Sequence, residues 1–265
     1  MGHDKLRKFA ENETFPCLLQ PSAEEVLSQG FFALKDHCIK GHWGEKMFDA
    51  PRPTVLELGC GKGEYTIDLA TRNPGRNYIG VDIKGARLWK GAKYATEHCM
   101  RNVAFLRTRI EFIPAYFAED EISEIWLTFS DPQMKSENSR LTSPLFLERY
   151  RKFLRKGGTV HLKTDSRFLH EYTRAVCEAN GLKINACTTD LYATQGLAPE
   201  LYEVQTFYEK MFLDEGYKIT YLSFTIDHEG EYIHPDFDEK YWREAEGPRR
   251  SFSHAPAPKP RTKKE

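Results

Sequence analysis

The chain lacks the features that would place it in a membrane or make it depend on disulfide bonds. Its 265 residues contain no uninterrupted apolar run of about 18 residues, the length that a membrane-spanning helix requires. The first residues, MGHDKLRKFAENETF, include no apolar stretch of the kind found in secretory signals. The six cysteines form no Cys-x-x-Cys pair, and a chain of this length needs no disulfide staples. We therefore expect a cytoplasmic protein with reduced thiols and no membrane association.

The sequence also lacks a convincing set of metal ligands. The nearest candidate is the group His37, Cys38 and His42, which has no second half elsewhere in the chain. Structural zinc sites need four ligands in a closed arrangement, so three residues in one polar segment do not suffice. We interpret this segment as a surface loop and expect no metal.

An excess of charge of one sign is missing as well. Lys and Arg total 38 and Asp and Glu total 39, so the formal net charge of -1 excludes a uniformly basic coat for nucleic acid. The charge is unevenly distributed, however. Residues 249–265 contain six basic residues against one acidic residue, a net charge of +5, which leaves -6 on residues 1–248. A second short basic segment lies near the start of the chain and comprises Lys5, Arg7 and Lys8.

Strand-like and helix-like segments alternate with short turns from about residue 54 onward, which is typical of a doubly wound, mostly parallel α/β sheet. We expect the last strand, near 218–226, to be antiparallel. The pattern predicts an N-terminal extension over residues 1–50, an α/β domain over 51–228, and a C-terminal extension over 229–265 that ends in a basic, disordered tail. A single long helix is predicted over 199–214.

A glycine turn follows the first predicted strand, Thr54–Leu58, and reads Gly59-Cys60-Gly61-Lys62-Gly63. Glycines allow a tight bend and a close approach between backbone and ligand. Glu64 stands where a dinucleotide-binding fingerprint has its last small residue, and a carboxylate there disfavours a pyrophosphate. A nicotinamide dehydrogenase is therefore the least favoured interpretation. The turn alone says little, since any tight strand-to-helix connection can use glycine.

Acidic residues beside this turn favour a cofactor that carries no phosphate. Asp82 ends the second predicted strand, where its carboxylate can accept hydrogen bonds from both hydroxyls of a ribose. Glu57 lies just before the glycines, where it either contacts a cationic amino-acid group or orients the turn. S-adenosylmethionine combines a ribose with such a group, so the pattern predicts this cofactor.

A second set of polar residues follows the later strands. Asp131 lies in Phe129-Ser130-Asp131-Pro132 after the fourth strand, and Lys135 follows it. Asp165 ends the fifth strand in Lys163-Thr164-Asp165. Thr206 and Glu209, at positions i and i+3, share one face of the late helix. The simpler alternatives make Asp165 a helix cap and Glu209 a solvated helix residue.

Taken in order, these segments resemble the tRNA (guanine-N7-)-methyltransferases of the bacterial single-chain type. The resemblance covers about Thr54–Ile226 and includes Ile79-Gly80-Val81-Asp82 and Thr206-Phe207-Tyr208-Glu209 besides the motifs above. It implies a Rossmann-like class I methyltransferase with a mostly parallel seven-stranded sheet and no obligatory protein partner. The implied activity is transfer of a methyl group from S-adenosylmethionine to N7 of a guanine in tRNA, at position 46 of the variable loop.

The resemblance also implies a role for each site residue, with Asp131 as the catalytic residue. The implied cofactor contacts are Glu57, Gly59, Gly61, Asp82, Thr108, Arg109 and Asp131. The implied contacts to the substrate guanosine are Lys135, Asp165, Thr206 and Glu209. Three departures from the family pattern concern the loop, the basic run and the adenine contact. Ser130 stands where a proline is usual, with Gln133 near the place of an aromatic residue or His, and the basic run is reduced to Lys135 and Arg140. Thr108 or Arg109 stands where the family has an acidic or amide residue. We interpret the charged run Arg149–Lys156 as a solvated face.

Two other interpretations remain open. The first is a methyltransferase that acts on a small molecule or a protein, which the reduced basic run favours. The second is a non-catalytic RNA-binding homologue, which predicts that the chain binds no S-adenosylmethionine.

Removal of the basic tail Arg249–Glu265 tests the hypothesis that this tail contacts phosphates of the tRNA. We expect weaker tRNA binding and a smaller dependence of the affinity on salt, because fewer cations are released from the RNA on binding. S-adenosylmethionine binding should not change. Filter binding of tRNA at several salt concentrations measures the affinity and its dependence on salt. If both are unaltered in the truncated chain, the tail does not contact the tRNA.

Overall fold

A computed structural model of the chain describes residues 2–28 and 33–247, and the basic tail Arg249–Glu265 lies outside the described residues. The described strands are β1 (Leu18–Leu19), β2 (Leu27–Ser28), β3 (Ala33–Leu34), β4 (Thr54–Leu58), β5 (Asn77–Asp82), β6 (Val103–Arg107), β7 (Ile122–Thr128), β8 (Leu154–Thr164), β9 (Ile184–Thr188) and β10 (Thr220–Thr225).

The described helices surround these strands, and three short 3₁₀ helices supplement them at Ala23–Glu25, Ile110–Ala115 and Glu137–Ser139. The α-helices are α1 (Gly2–Asn12), α2 (Trp43–Lys46), α3 (Glu64–Arg72), α4 (Gly85–Glu97), α5 (Pro144–Tyr150), α6 (Arg167–Ala179), α7 (Glu200–Glu203), α8 (Phe207–Asp214) and α9 (Glu239–Glu246). None of the helices in the described residues combines the length and hydrophobicity that crossing a membrane requires.

The main sheet has the strand order β1-β6-β5-β4-β7-β8-β10-β9, and β2 pairs with β3 apart from it. The predicted mostly parallel sheet is confirmed, because β10 is antiparallel to both of its neighbours while the pairs from β1 through β8 are parallel. An eighth strand extends the expected seven. Leu18 and Leu19 of β1 pair with Phe105 and Leu106, and two residues are too few to show a sequence period.

Apolar side chains pack on both faces of the sheet. All five residues of β4 and all six of β5 are buried, so neither strand shows the alternation of apolar and polar residues that is typical of a strand with one solvated face. The order of the strands reverses at β4, since β5 and β6 lie to one side of it and β7 and β8 to the other. A crevice at the carboxyl ends of β4 and β7 is the expected place for a ligand in such a sheet.

Both predicted extensions contact the α/β domain. In the N-terminal one, α1 packs on α4, where the Asn12 amide donates a hydrogen bond to the Gly85 carbonyl (3.0 Å) and the Trp89 indole donates to Glu11 (2.7 Å). In the C-terminal one, α9 packs on α6, and the amide of Phe168 donates to Glu246 (2.8 Å). The domain limits at residues 51 and 228 remain predictions.

Arg140, one of the two residues to which the basic run is reduced, is buried and adds no positive charge to the surface of the loop. Its side chain is fully buried and forms an ion pair with Glu239 of α9 at 2.8 Å. The guanidinium also lies over the rings of Tyr172 (4.3 Å) and Phe168 (4.8 Å). Arg140 therefore holds the C-terminal helix on the domain.

The predicted helix over 199–214 is broken into α7 and α8, and Lys163 of β8 accounts for the break. Its ammonium donates hydrogen bonds to the carbonyls of Leu201 (2.8 Å) and Val204 (3.0 Å), at the end of α7. It also forms an ion pair with Glu209 in the first turn of α8, at 2.8 Å. Both charged side chains are fully buried, and burial lowers the pKa of Lys163. Continuing α7 into α8 would use these carbonyls within the helix and remove acceptors from Lys163.

Replacement of Lys163 tests how much the fold depends on this contact. We expect Lys163→Met to lower the free energy of unfolding by about 3–5 kcal/mol, because it leaves the buried Glu209 carboxylate without its counter-charge. The double variant Lys163→Met/Glu209→Leu should recover part of the loss, and the exposed-site control Lys183→Met should change little. Denaturant titrations measure all three, and equal losses in the single and double variants would contradict the interpretation.

Candidate functional site

An open cavity of about 1260 Å³ lies at the carboxyl ends of the central strands. Six of the predicted site residues line it: Gly59, Asp82, Thr108, Arg109, Asp131 and Asp165. They follow β4, β5, β6, β7 and β8, whose carboxyl ends meet at one edge because these strands are parallel. The other five lie outside its lining: Glu57, Gly61, Lys135, Thr206 and Glu209.

The glycine turn adopts a backbone that side chains tolerate poorly. Gly59, Gly61 and Gly63 have φ angles of +80°, +57° and +71°, in the left-handed region. A Cβ on Gly63 would lie 2.5 Å from the Phe105 ring, so packing demands glycine there. A Cβ on Gly59 or Gly61 would meet nothing within 4 Å. The first two glycines therefore face open space into which a ligand can approach the backbone.

Asp82 connects the end of β5 to this turn. Its Oδ2 accepts a hydrogen bond from the Gly61 amide (3.1 Å) and its Oδ1 accepts one from the Lys84 amide (2.7 Å). The side chain is buried, which raises its pKa. Each carboxylate oxygen has further acceptor capacity, so Asp82 can hold the turn and bind a ligand at once. Ile83, which the sequence interpretation missed, lines the cavity with 51% of its surface exposed.

Glu57 lies beneath the turn rather than in the cavity lining. Its Oε2 accepts hydrogen bonds from the amide (2.9 Å) and the hydroxyl of Thr66, and its Oε1 accepts one from the Thr128 hydroxyl (2.5 Å). Burial raises the pKa of this carboxyl group. Glu57 thus joins β4 to α3 and β7, which favours the orienting role among its two predicted roles. Its contact with a cofactor remains a prediction.

Glu64 follows the turn and has a connecting role. Its Oε1 forms an ion pair with Lys90 of α4 (2.8 Å), and its Oε2 accepts a hydrogen bond from the Phe207 amide at the start of α8 (3.0 Å). The hydrogen bond from Lys90 lowers the pKa of Glu64 although burial opposes the shift. A carboxylate therefore occupies the helix start where a pyrophosphate would bind in a dinucleotide-binding protein.

The loop after β7 has a strained backbone. Phe129 and Gln133 have φ angles of +51° and +46°, which are uncommon for residues other than glycine and occur often at functional sites. The Phe129 amide donates to the Lys163 carbonyl (2.9 Å), and Oδ1 of Asp131 accepts from the Gln133 amide (2.9 Å). These bonds hold Asp131 at the cavity while its side chain remains exposed. Lys135, farther along the same loop, is also exposed.

Asp165 does not cap α6, so that simpler alternative was wrong. The hydroxyl of Ser166 accepts a hydrogen bond from the Leu169 amide (3.1 Å) and forms the cap. The Ser166 amide donates in turn to the hydroxyl of Thr164 (3.0 Å). Asp165 lies between these two residues and lines the cavity.

The pair Thr206 and Glu209 forms the start of α8. The Thr206 hydroxyl accepts a hydrogen bond from the Glu209 amide (3.1 Å), so Thr206 is the N-cap of this helix. Glu209 is fully buried, and its interpretation as a solvated residue was wrong. Its Oε1 accepts from the Tyr192 hydroxyl (2.6 Å), whereas its buried Oε2 has no hydrogen-bond partner among the described residues. Contact of either residue with a substrate remains a prediction.

The two residues that follow β6 have partners of their own. The Thr108 hydroxyl donates to the Tyr116 hydroxyl (3.3 Å), and Arg109 forms an exposed ion pair with Glu111 (3.2 Å). Both residues line the cavity, and their contact with a cofactor remains a prediction. The cavity is also lined by Arg149 of α5 and by Ala245 and Glu246 of α9. The sequence analysis had placed no site residue in either helix.

No group of three His, Cys, Asp or Glu side chains in the described ranges is arranged to hold a metal ion. We expected His37 to lie in a surface loop, but its side chain is buried. Its Nε2 lies 3.2 Å from Glu25, and its Nδ1 accepts a hydrogen bond from the Ile39 amide (3.1 Å). Both ring nitrogens are therefore engaged within the protein.

Comparison with known proteins agrees with this geometry. A family model described as "Putative methyltransferase" matches residues 51–222. A tRNA (guanine-N(7)-)-methyltransferase of Bacteroides fragilis is 48% identical over 238 residues, which are 90% of this chain and 92% of that protein. The enzyme of the same name from Christiangramia forsetii is 49% identical over 225 residues, which are 84% of this chain and 98% of that protein.

Solved structures show the same fold at a much lower sequence identity. A crystal structure of the 16S rRNA methyltransferase KamB matches with a TM-score of 0.51 and 18% identity, covering 68% of this chain and 88% of that one. The sheet order with its reversal at β4 and the single antiparallel strand is thus that of a class I methyltransferase. Since the identity to full-length relatives is high and spans most of the chain, the chain belongs to the tRNA (guanine-N7-)-methyltransferase family.

Proposed function

We propose that this methyltransferase binds S-adenosylmethionine at the glycine turn and presents acidic side chains to a guanine of tRNA, at position 46 of the variable loop by similarity to its family. The observation that supports this most directly is the convergence of three carboxylates on one cavity. Asp82, Asp131 and Asp165 come from the ends of β5, β7 and β8 and line the same space as Gly59.

The residues at the turn fit S-adenosylmethionine. The open faces of Gly59 and Gly61 leave room for a ligand against the backbone, and Asp82 offers oxygen acceptors for ribose hydroxyls. The exposed Ile83 provides an apolar surface for a purine ring beside Asp82. S-adenosylmethionine supplies an electrophilic methyl group on a sulfonium sulfur. It carries no phosphate, which suits a helix start that is occupied by Glu64.

The acidic side chains suit a guanine whose N7 is to be methylated. N7 already carries an in-plane lone pair and no proton, so the reaction requires no general base. The main task of the protein is to align the base with the methyl donor, which accounts for a large part of many enzymatic rate enhancements. Carboxylates can accept hydrogen bonds from N1–H and the exocyclic amine of guanine, and adenine lacks this pair of donors.

The same carboxylates favour the charge that develops in the reaction. Methylation of N7 makes the purine ring cationic, so negative charge nearby stabilises the transition state more than the ground state. Asp131 and Asp165 line the cavity, and the loop that carries Asp131 is held by the hydrogen bond from Phe129 to Lys163. We assign the catalytic role to Asp131 because its side chain is exposed at the cavity and its backbone is held in place.

The product of the reaction tests the proposal. The protein is incubated with S-adenosylmethionine and a tRNA pool, and the nucleosides are separated and identified by mass. We expect 7-methylguanosine, and cleavage at the modified base should place it in the variable loop. Free guanosine serves as the control substrate and should not react. Folded protein that binds S-adenosylmethionine but forms no 7-methylguanosine in tRNA would refute the proposal and favour one of the two other interpretations.

Replacement of Asp131 tests the catalytic role. We expect Asp131→Ala to lower kcat by about 10²–10³-fold, the usual cost of removing one preorganised electrostatic group. The unfolding free energy should change by no more than about 0.5 kcal/mol, since the side chain is exposed. The matched control is Asp236→Ala, an exposed aspartate outside the cavity lining, which should retain normal turnover. Near-normal kcat in Asp131→Ala would contradict the assignment.

A further inference from the structure

Six cationic side chains line the cavity, and they fall into two groups. Three of them have a carboxylate partner: Arg109 with Glu111 (3.2 Å), Arg167 with Glu171 (2.8 Å) and Lys218 with Asp190 (3.0 Å). The other three are Lys84, Arg87 and Arg149, and none has a carboxylate within ion-pair distance in the part of the chain that the structure describes. The charges of nearby carboxylates, Asp82 for Lys84 and Arg87 and Glu111 for Arg149, act on these cations only from beyond ion-pair distance.

Arg149 is the most unusual of these cations. It lies in the last turn of α5, is partly buried, and its guanidinium lies over the Phe146 ring at 4.5 Å. Its Nη1 is buried and has no hydrogen-bond partner among the described residues, and burial lowers the pKa of the group. A buried donor without an acceptor is costly, so such groups in native proteins usually bind water, an ion or a ligand. Arg149 therefore has donor capacity that no acceptor among the described residues uses.

The position of Arg149 separates this acceptor from the glycine turn. Helix α5, which carries Arg149, packs on the 3₁₀ helix Ile110–Ala115 that follows β6. The glycine turn follows β4, and β5 lies between β4 and β6 in the sheet. Two strand spacings amount to about 9–10 Å. The packing of α5 thus favours an acceptor other than the carboxylate of a cofactor whose amino-acid end lies at the turn.

A phosphate of RNA has the chemistry that Arg149 requires. A guanidinium presents a planar fork of donors that can bind two oxygens of a phosphodiester, and its positive charge is attracted to the single negative charge of that group. Two basic residues of the N-terminal segment are paired within the protein instead: Arg7 with Asp4 and Glu11, and Lys8 with Asp4. Arg149 is already fixed at the cavity by its stem and its contact with Phe146, so it loses little freedom on binding.

We propose that Arg149 binds a backbone phosphate of the tRNA beside the target guanine and so positions that base over the acidic part of the cavity. Lys84 and Arg87, at the start of α4, add positive charge to the lining of the same cavity. This proposal rests on the proposed function. It also corrects the interpretation of the run Arg149–Lys156 as a solvated face, since Lys152, Arg155 and Lys156 are exposed whereas Arg149 lines the cavity.

The experiment compares Arg149→Gln with Arg155→Gln in the full chain. Both remove one positive charge from the same stretch, but Arg155 is exposed and lies outside the cavity lining. We expect Arg149→Gln to raise the Kd for tRNA about tenfold and to reduce the slope of log Kd against log salt by about 0.7–0.9, the value of one phosphate contact. Arg155→Gln should change the Kd less than about twofold. Neither variant should alter the Kd for S-adenosylmethionine.

A second variant covers the case in which Arg149→Gln does not fold. Arg149→Lys keeps the charge and most of the aliphatic stem but removes the planar fork. It should retain the salt slope of the original chain and bind tRNA about threefold more weakly. Thermal denaturation of each variant shows whether a loss of binding reflects a loss of folded protein.

The possible outcomes separate this inference from the proposed function. If the original chain binds tRNA but forms no 7-methylguanosine, the proposed function is refuted. The phosphate contact is then still tested by comparing the salt slopes of Arg149→Gln and Arg155→Gln. An active original chain with equal Kd values and slopes for Arg149→Gln and Arg155→Gln overturns the inference alone. A weaker affinity of Arg149→Gln for S-adenosylmethionine with an unchanged tRNA slope also overturns it, because Arg149 would then be a cofactor contact.

Discussion

The buried contact between Lys163 and Glu209 connects the two sides of the cavity. The Lys163 ammonium holds the end of α7 and the first turn of α8, and α8 brings Tyr208 and Phe212 to the cavity wall. The backbone carbonyl of Lys163 accepts the hydrogen bond that holds Phe129, two residues before Asp131. One residue therefore contacts both the start of a helix and the loop that carries Asp131 as it leaves the sheet. The cost of burying its charge is offset by three acceptors that surround it.

The polar residues of the protein are divided between a buried layer and an exposed one. Glu57 and Lys163 are buried beneath the cavity and have partners within the protein, whereas Asp131 is exposed at its surface. Buried and satisfied groups hold strands and helices in fixed relative positions, which gives the exposed groups a rigid base. A cavity lined by both carboxylates and cationic side chains suits a substrate whose base becomes positively charged on methylation and whose backbone is anionic. This resolves the apparent conflict between a net charge of -1 and an RNA substrate.

The sequence allowed the central part of the fold to be predicted, and six of the eleven predicted site residues line one cavity. Strands β4 to β8 were recognised from their apolar runs and the turns between them, and Asp82, Asp131 and Asp165 were recognised because each lies at or shortly after the end of a strand. Parallel strands bring their carboxyl ends to one edge, so residues far apart in sequence were expected at one place. Predictions were less successful where a side chain's partner is remote. Arg140 and Glu209 are polar residues in polar segments, and only their distant partners show that they are buried.

By itself, the sequence determined the order of strands and helices, the glycine turn and the identity of the acidic residues at the strand ends, because these depend on local composition and on spacing. The tertiary structure decided which polar groups are satisfied and which remain available. It placed Glu57 and Glu209 in internal contacts, ended the predicted helix early beside Lys163, and left Nη1 of Arg149 without an acceptor among the residues that the structure describes. The physical reason is that burial and ion pairing depend on which elements pack together in space, and no local pattern in the chain records that packing.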